Sequence, residues 1–239
     1  MISIIIPTLN EESVIEDRLR RLKSTLTIPH EIIVTDGKSS DRTVEIARKY
    51  ADKVVAYDGV TRQTIAQGRN DGARVAVGDL LIFLDADCVI PNPDTEILRA
   101  IAKFDDPKVV ALVPWIKVMK EYETWSDYIV YACFNTYLLF INNILNLGVS
   151  GGEFQMMRME DFRKVGGYNE KLVASEDVEL LSRLKKLGRI RMDKNLVIYH
   201  TGRRAHKIGW PRLLTQWFLN AFFMTVLGRA FHKEWKVIR

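Results

Sequence analysis

Short apolar runs alternate with amphipathic stretches through the first half of the chain, and turn residues separate them. Ile2-Ser3-Ile4-Ile5-Ile6 is the first run, and it predicts a strand buried on both faces and stopped by Pro7. Thr8 or Asn10 is placed to cap a helix running through Glu11 to Leu26, since Val14, Ile15, Leu19, Leu22 and Leu26 recur at helical spacing. Glu31–Thr35 predicts a second strand, Thr43–Tyr50 a helix and Val54–Tyr57 a third strand. Arg69–Val77 predicts another helix, with Gly78 as its C-cap. Leu80-Leu81-Ile82-Phe83-Leu84 is a second unbroken apolar run, and it leads into Asp85-Ala86-Asp87-Cys88. Strands alternating with helices predict βαβ units on a parallel sheet with right-handed crossovers.

The second half is less regular. Asp94–Phe104 reads as a helix, Val109–Val113 and Phe154–Arg158 as strands, and Glu160–Val165 as a short helix ended by Gly166-Gly167. Val178–Leu187 carries a leucine stripe, with Ser175 as its N-cap and Gly188 at its C-terminal end. Leu196–Tyr199 is the last strand, ended by His200. Trp125–Leu147 and Trp210–Trp235 are rich in aromatic and aliphatic residues, yet neither holds eighteen uninterrupted apolar residues, so no membrane span is expected.

Length allows one large domain or two small ones in 239 residues, and an apolar fraction of 47% with 27% charged residues is that of a soluble globular protein. Cys88 and Cys133 match no metal or redox spacing and point to free thiols in a reducing compartment. The N-terminus opens directly on a strand-like run, without the basic segment and cleavage site of a signal peptide. The net charge of +5 is modest, but its distribution is not even. From Arg203 onward come Arg204, Lys207, Arg212, Arg229, Lys233, Lys236 and Arg239, against Glu234 alone, interleaved with Trp217, Phe218, Phe222 and Phe223. That pattern fits a helix on an anionic membrane surface, or one packed on the domain or in a homodimer interface. No nucleic-acid-binding module is present.

The chemistry centres on Asp85 and Asp87. Ligands of an open parallel sheet bind beyond the carboxyl ends of its strands. Two acids one residue apart at such an end can reach one hard cation, Mg²⁺ or Mn²⁺. The plainer alternative is that both acids cap the following turn. The loop after the first strand, Pro7-Thr8-Leu9-Asn10-Glu11, contains neither Gly-x-Gly-x-x-Gly nor a Walker A motif. A dinucleotide dehydrogenase is therefore not expected, and phosphate chemistry would use a metal rather than a glycine cradle.

Ile4-Ile5-Ile6-Pro7-Thr8-Leu9-Asn10-Glu11-Glu12, Asp36-Gly37-Lys38-Ser39-Ser40-Asp41, Arg69-Asn70, Leu84-Asp85-Ala86-Asp87, Gly166-Gly167-Tyr168-Asn169-Glu170 and Glu176-Asp177 follow one another in this order. The ordered set, covering about residues 2 to 204, resembles the family-2 inverting glycosyltransferases. The resemblance implies an α/β GT-A fold: a single domain over 1–204 on a mixed, mostly parallel sheet flanked by helices. Its nucleotide half would span about 1–90 and its acceptor half about 91–204, with a basic amphipathic helical tail over 205–239. It implies that Pro7, Thr8 and Glu11 line the nucleotide pocket and that Asp36 accepts a hydrogen bond from the base. The alternative for Asp36 is an Asx turn before Gly37. Arg69 would lie near the base or diphosphate, or else be a solvated helix charge, and Arg62 is a further candidate for the diphosphate. Asp87 would ligate the metal, with Asp85 on the ribose or the metal shell. Asp177 would be the general base that inverting transfer needs, helped by its place in the first turn of a helix; first-turn acids without catalysis are its alternative. Glu176 would support it or bind acceptor. His200 would be a further ligand to Mn²⁺ or Mg²⁺, or a structural strand-end histidine, and Arg203 with Arg204 would meet the diphosphate or acceptor. The Gln-x-x-Arg-Trp signature of processive synthases is absent, which favours single transfer.

The expected activity is metal-dependent transfer from a nucleoside-diphosphate sugar, with uridine the favoured base and guanosine second. The acceptor would be a sugar or a lipid-linked group, and the setting the cytoplasm with peripheral membrane contact through the tail. A sugar-phosphate nucleotidyltransferase and a non-catalytic nucleotide-sugar-binding or membrane-adaptor module are the rival readings. The first lacks the glycine- and lysine-rich loop expected after strand one.

Overall fold

The structure is a computed structural model that describes residues 1–227, without the side chains at 221, 222 and 224–227. Arg229, Lys233, Glu234, Lys236 and Arg239 of the basic tail lie outside the described residues.

Seven strands form one sheet in the order β3-β2-β1-β4-β6-β5-β7. They are β1 (Ile2–Thr8), β2 (His30–Asp36), β3 (Lys53–Ala56), β4 (Leu80–Leu84), β5 (Val109–Val118), β6 (Phe154–Arg158) and β7 (Arg189–His200). β1 to β4 run parallel, β6 runs antiparallel to both its neighbours, and β5 pairs parallel with β7. Side chains alternate across each strand. Ile4, Ile6, Ile32, Val34, Ile82 and Leu84 enter one core with helices α1 (Ile15–Thr25), α2 (Thr43–Tyr50) and α4 (Pro93–Ala102). Ile5, Ile33, Leu81 and Phe83 enter the other, with α3 (Ile65–Val75), α5 (Trp125–Asn143), α6 (Met159–Lys164) and α7 (Glu176–Leu184). The sheet is therefore covered on both faces, which is why its central strands read as unbroken apolar runs.

Several boundaries differ from the sequence expectation. Pro7 does not stop β1; it sits inside the strand opposite Thr35. The pairing with β4 has already ended at Ile5, so the missing N–H faces no ladder partner. α1 starts at Ile15 rather than after Thr8 or Asn10. Asn10 takes a positive φ of 55° and its side chain receives the Ser40 N–H at 2.8 Å, tying two loops together instead of capping a helix. α3 starts earlier than expected, at Ile65, because Thr64 and Gln67 make a reciprocal capping box. Gly78 is not its C-cap; it lies against β1, where an added Cβ would come within 2.7 Å of the backbone of Ile2 and Ser3. β5 and β7 are longer than expected because they pair with each other over most of their length, support that a single-strand pattern does not display.

Ser175 precedes α7 with φ 60° and makes no side-chain capping bond. Gly188 is not the C-terminal cap of α7, which ends at Leu184; an added Cβ there would reach the carbonyl of Lys108 at 2.5 Å. After β7 come α8 (Arg203–Ile208) and α9 (Trp210–Leu227). They dock on α5 through a third apolar cluster that includes Tyr131, Ala205, Trp210 and Leu213. Asp127, wholly buried, accepts from His206 Nε2 at 2.7 Å and from Trp210 Nε1 at 2.8 Å. Among the described residues no helix is long and apolar enough to cross a membrane.

Candidate active site

The carboxyl ends of β1, β2 and β4 open into one cavity of about 840 Å³. The loop before β6, the start of α7, the end of β7 and one side of α5 and α9 complete its wall. Six carboxyl groups line it (Glu11, Asp85, Asp87, Glu153, Glu176 and Asp177) against the guanidinium groups of Arg62, Arg69, Arg203 and Arg204. Pro7, Thr8 and His200 also face it.

Asp85 follows directly from β4, and its backbone N–H is fixed by the carbonyl of Glu153 at 3.0 Å. Burial raises its carboxyl to about 6; Arg69 opposes that shift and Asp87 adds to it. Asp87 is 7% exposed. Its Oδ2 accepts from the Thr201 hydroxyl at 2.7 Å and pairs with Arg203 Nε at 3.2 Å. Arg203 also grips Glu11 with both terminal nitrogens, each at 2.9 Å. A fork of this kind suits a carboxylate, and it links the loop after β1 to the start of α8.

Asp36 takes the alternative place. It is 1% exposed and accepts from the Thr8 hydroxyl at 2.9 Å, the Ser39 N–H at 2.7 Å and the Ser39 hydroxyl at 2.5 Å. Three donors use most of a carboxylate's accepting capacity. The side chain thus shapes the Gly37 turn, while Thr35 and Gly37, its neighbours, line the cavity.

Arg69 is not a solvated helix charge; it lines the cavity from a buried place. It is 0% exposed and donates to Glu176 Oε1 at 2.9 Å, Asp85 Oδ1 at 3.1 Å and the Gly152 carbonyl at 2.7 Å. Glu176 therefore faces Arg69, and Asp177 is the next residue along α7. Burial, reinforced by the charge of Glu176, pushes the Asp177 carboxyl up to about 7 despite Arg69. A carboxylate so placed changes protonation near neutral pH and sits in a cleft, which is what proton abstraction from a substrate hydroxyl requires.

Glu153 was not singled out by the sequence. It lies outside any regular element, two residues after Gly151, in a loop held by the Asn142 and Gln155 side chains. Burial, with Asp85, Asp177 and Asp87 nearby, raises its carboxyl to about 8, so it carries a proton at neutral pH. Its Oε2 is buried without a partner among the described residues. The one sequence signal was its position just before the strand Phe154–Arg158, which starts at the rim where β4 ends, with Phe154 opposite Leu84.

The excess of carboxyl over guanidinium groups suits a cation. Asp87 and His200 are the nearest fit to ligands. Burial lowers His200 to about 4, so the ring is neutral, as a ligand must be. Its Nδ1 accepts the Gly202 N–H at 3.2 Å, which puts the ring proton on Nε2, an atom buried without a partner among the described residues. Ligation through Nε2 needs the other tautomer. No three such donors converge on one point among the described residues. The arrangement fits a divalent ion completed by substrate phosphate oxygens rather than a closed protein cage.

The far wall is apolar. Phe134 and Trp217 pack at 5.4 Å between centroids, and Tyr137, Leu213, Leu214 and Phe218 continue the surface.

The family model described as "Glycosyl transferase family 2" matches residues 3–166. The succinoglycan biosynthesis protein ExoA of Rhizobium meliloti is 32% identical over 230 residues, covering 87% of this chain and 65% of that protein. An undecaprenyl-phosphate 4-deoxy-4-formamido-L-arabinose transferase of Pseudomonas paraeruginosa is 32% identical over 114 residues, 43% of this chain and 32% of that protein. The structure of the mannosyltransferase PcManGT from Pyrobaculum calidifontis, in complex with GDP-Man and Mn²⁺, superposes with a TM-score of 0.72 at 19% identity. That match covers 94% of this chain and 64% of the mannosyltransferase. The chain spans less than two thirds of the length of the curated relatives it matches.

Proposed function

The chain belongs to glycosyltransferase family 2, and from that premise we propose that it moves a sugar, with inversion at the anomeric carbon, from a nucleoside-diphosphate sugar to a hydroxyl or phosphate acceptor. The observation that carries the reading is Asp177, a buried carboxyl raised to about 7 in the cavity that Asp85 and Asp87 also line. In this reading Asp177 takes the acceptor proton as the acceptor oxygen attacks C1 from the face opposite the leaving diphosphate. Pro7, Thr8 and the Gly37 turn shaped by Asp36 border the nucleoside, and Arg62 meets the diphosphate. Asp85 serves the ribose side. Asp87 and His200 would hold a divalent ion, which when bound would supply positive charge against the departing diphosphate. Arg203 joins Asp87 and Glu11 on the acceptor side.

In this reading the nucleotide half, about 1–90, would hold the parallel strands β1 to β4, and the acceptor half, about 91–204, would supply β5, β6 and β7. UDP-sugars come first among donors and GDP-sugars second; the GDP-Man and Mn²⁺ in the mannosyltransferase support keeping both bases and the metal in view. A lipid-linked acceptor is supported by the aromatic wall of α5 and α9 and by the undecaprenyl phosphate in one relative's name. Leu214 and Phe218, 42% and 69% exposed on α9, and Arg212 beside them suit a membrane surface.

The test is transfer of radiolabelled sugar from a panel of UDP- and GDP-sugars, with Mn²⁺ or Mg²⁺, into organic-extractable and water-soluble fractions. Label in the organic phase from one donor supports a lipid acceptor. Label confined to soluble glycan contradicts it, and no transfer from any donor contradicts the whole reading.

A further inference from the structure

Resting on the reading of Asp177 as the base, we propose that Arg69 is a positioning residue: a buried guanidinium that ties the donor-side carboxylate Asp85 to the start of α7, and so fixes where Asp177 stands. Arg69 meets three acceptors on three separate elements. Asp85 Oδ1 follows β4, the Gly152 carbonyl precedes β6, and Glu176 Oε1 opens α7, all within 3.1 Å. These elements come from far apart in the sequence, 107 residues separating Arg69 from Glu176. The Tyr168 ring lies 5.3 Å from the guanidinium carbon.

The neighbouring side chain works on the same joint. Asn70 Nδ2 donates to the Tyr168 carbonyl and to Glu170 Oε1, each at 2.9 Å, and its Oδ1 accepts the Tyr168 N–H at 2.9 Å. The Arg69-Asn70 pair thus holds the Tyr168-Asn169-Glu170 segment and the first residue of α7. That gives both sequence motifs one task. The planar fork reaches these acceptors from two separate nitrogens, Nη1 and Nη2, whereas the three donors of a lysine share one nitrogen and cannot span the same points.

The arrangement has an electrostatic consequence that can be read. Asp177 faces Glu176 on its own helix, Arg69 from α3, and Glu153 and Tyr168 from the elements around it. Arg69 favours the ionised base, and Glu176 opposes it. Removing them should move the base in opposite directions.

The experiment is the pH profile of kcat/KM for nucleoside diphosphate release at saturating metal, with whichever UDP- or GDP-sugar the purified protein turns over. Glu176→Gln keeps an acceptor for Arg69 and removes the like charge, so the acid limb should shift down by about 1 pH unit. Arg69→Met should shift it up by about 1 unit and lower kcat at least tenfold. Arg69→Lys should restore the limb but not kcat, because the charge returns without the fork. An Arg69→Met limb that coincides with wild type overturns the proposal. Should Arg69→Met fail to fold, the double variant Arg69→Met/Glu176→Gln is compared with Glu176→Gln. Its limb must move back toward wild type, and an unmoved limb overturns the proposal. Failure of the underlying reading is distinct: it is full activity in Asp177→Asn, whatever the Arg69 variants do.

Discussion

Asp177 concentrates the chemical expectation in one carboxyl. A general base contributes about 10²- to 10⁴-fold, so Asp177→Asn should lower kcat by that factor while donor binding, followed by thermal shift, persists. Because the base must be ionised and its carboxyl lies at about 7, the wild-type rate should rise with pH through neutrality and level off above it. Glu153 makes a separate prediction about stability. Its folded-state carboxyl, at about 8, lies above the ordinary 4.5, so the folded state holds the proton more tightly than the unfolded chain. Stability is therefore lost as pH rises from about 4.5 to about 8. Glu153→Gln should raise Tm clearly at pH 8 and little at pH 4.5; an equal gain at both values would contradict the burial account. The sequence displayed Asp85, Asp87 and Asp177 because each sits in a recognisable motif. It did not display Glu153, whose role comes from burial among acids on other elements. Nor did it show that Asp36 closes its own turn and that Arg69 is interior, since an exposed and a buried helical arginine look alike along a chain.

At the level of elements, close approaches and ties between helices carry the predictions. Gly78 lets the chain entering β4 pass against the backbone of β1. Gly78→Ala would have to displace the backbone of Ile2 and Ser3 as well as the Ser3 hydroxyl, and should cost about 1–3 kcal/mol in chemical denaturation. Asp127 is the tie between α5 and the two helices after β7. Although burial works against it, donors from His206, Thr124 and Trp210 hold its carboxyl below the usual range. Asp127→Ala leaves the buried Trp210 N–H unpaired and releases the more exposed His206 and Thr124, and should cost about 1–3 kcal/mol, with faster hydrogen exchange in α8 and α9 than in β1 to β4. Element types were readable where burial is two-sided and the pattern unbroken, as in β1, β2 and β4. Boundaries were misread where a partner decides them: Pro7 survives in β1 because β4 stops short, and β5 and β7 extend because each supports the other. Gly78 and Gly188 look like helix stops in sequence, but they mark close contacts between elements.

Across the whole molecule, a two-sided sheet places one cavity at the carboxyl ends of β1, β2 and β4, polar where the loops meet and aromatic where α5 and α9 close it. The polar end was legible from the order of the acidic motifs. The aromatic end was visible only as two apolar stretches, Trp125–Leu147 and Trp210–Trp235, whose joint use depends on α9 folding back onto α5. Asp87 engages Arg203 and Thr201, so a divalent ion held there, as proposed, would have to loosen that pairing. Asp87→Asn should therefore abolish the extra thermal stabilisation that Mn²⁺ gives in the presence of nucleoside diphosphate, while leaving Tm without ligand within a few degrees. The most direct measurement is nucleoside diphosphate release from the panel of UDP- and GDP-sugars, with Mn²⁺ and an added lipid extract, comparing wild type with Asp177→Asn. Metal-dependent release from one donor by wild type, reduced at least a hundredfold in the variant, is the predicted result. Equal release by both proteins would contradict Asp177 as the base, and release by neither, from any donor, would contradict the transferase reading itself.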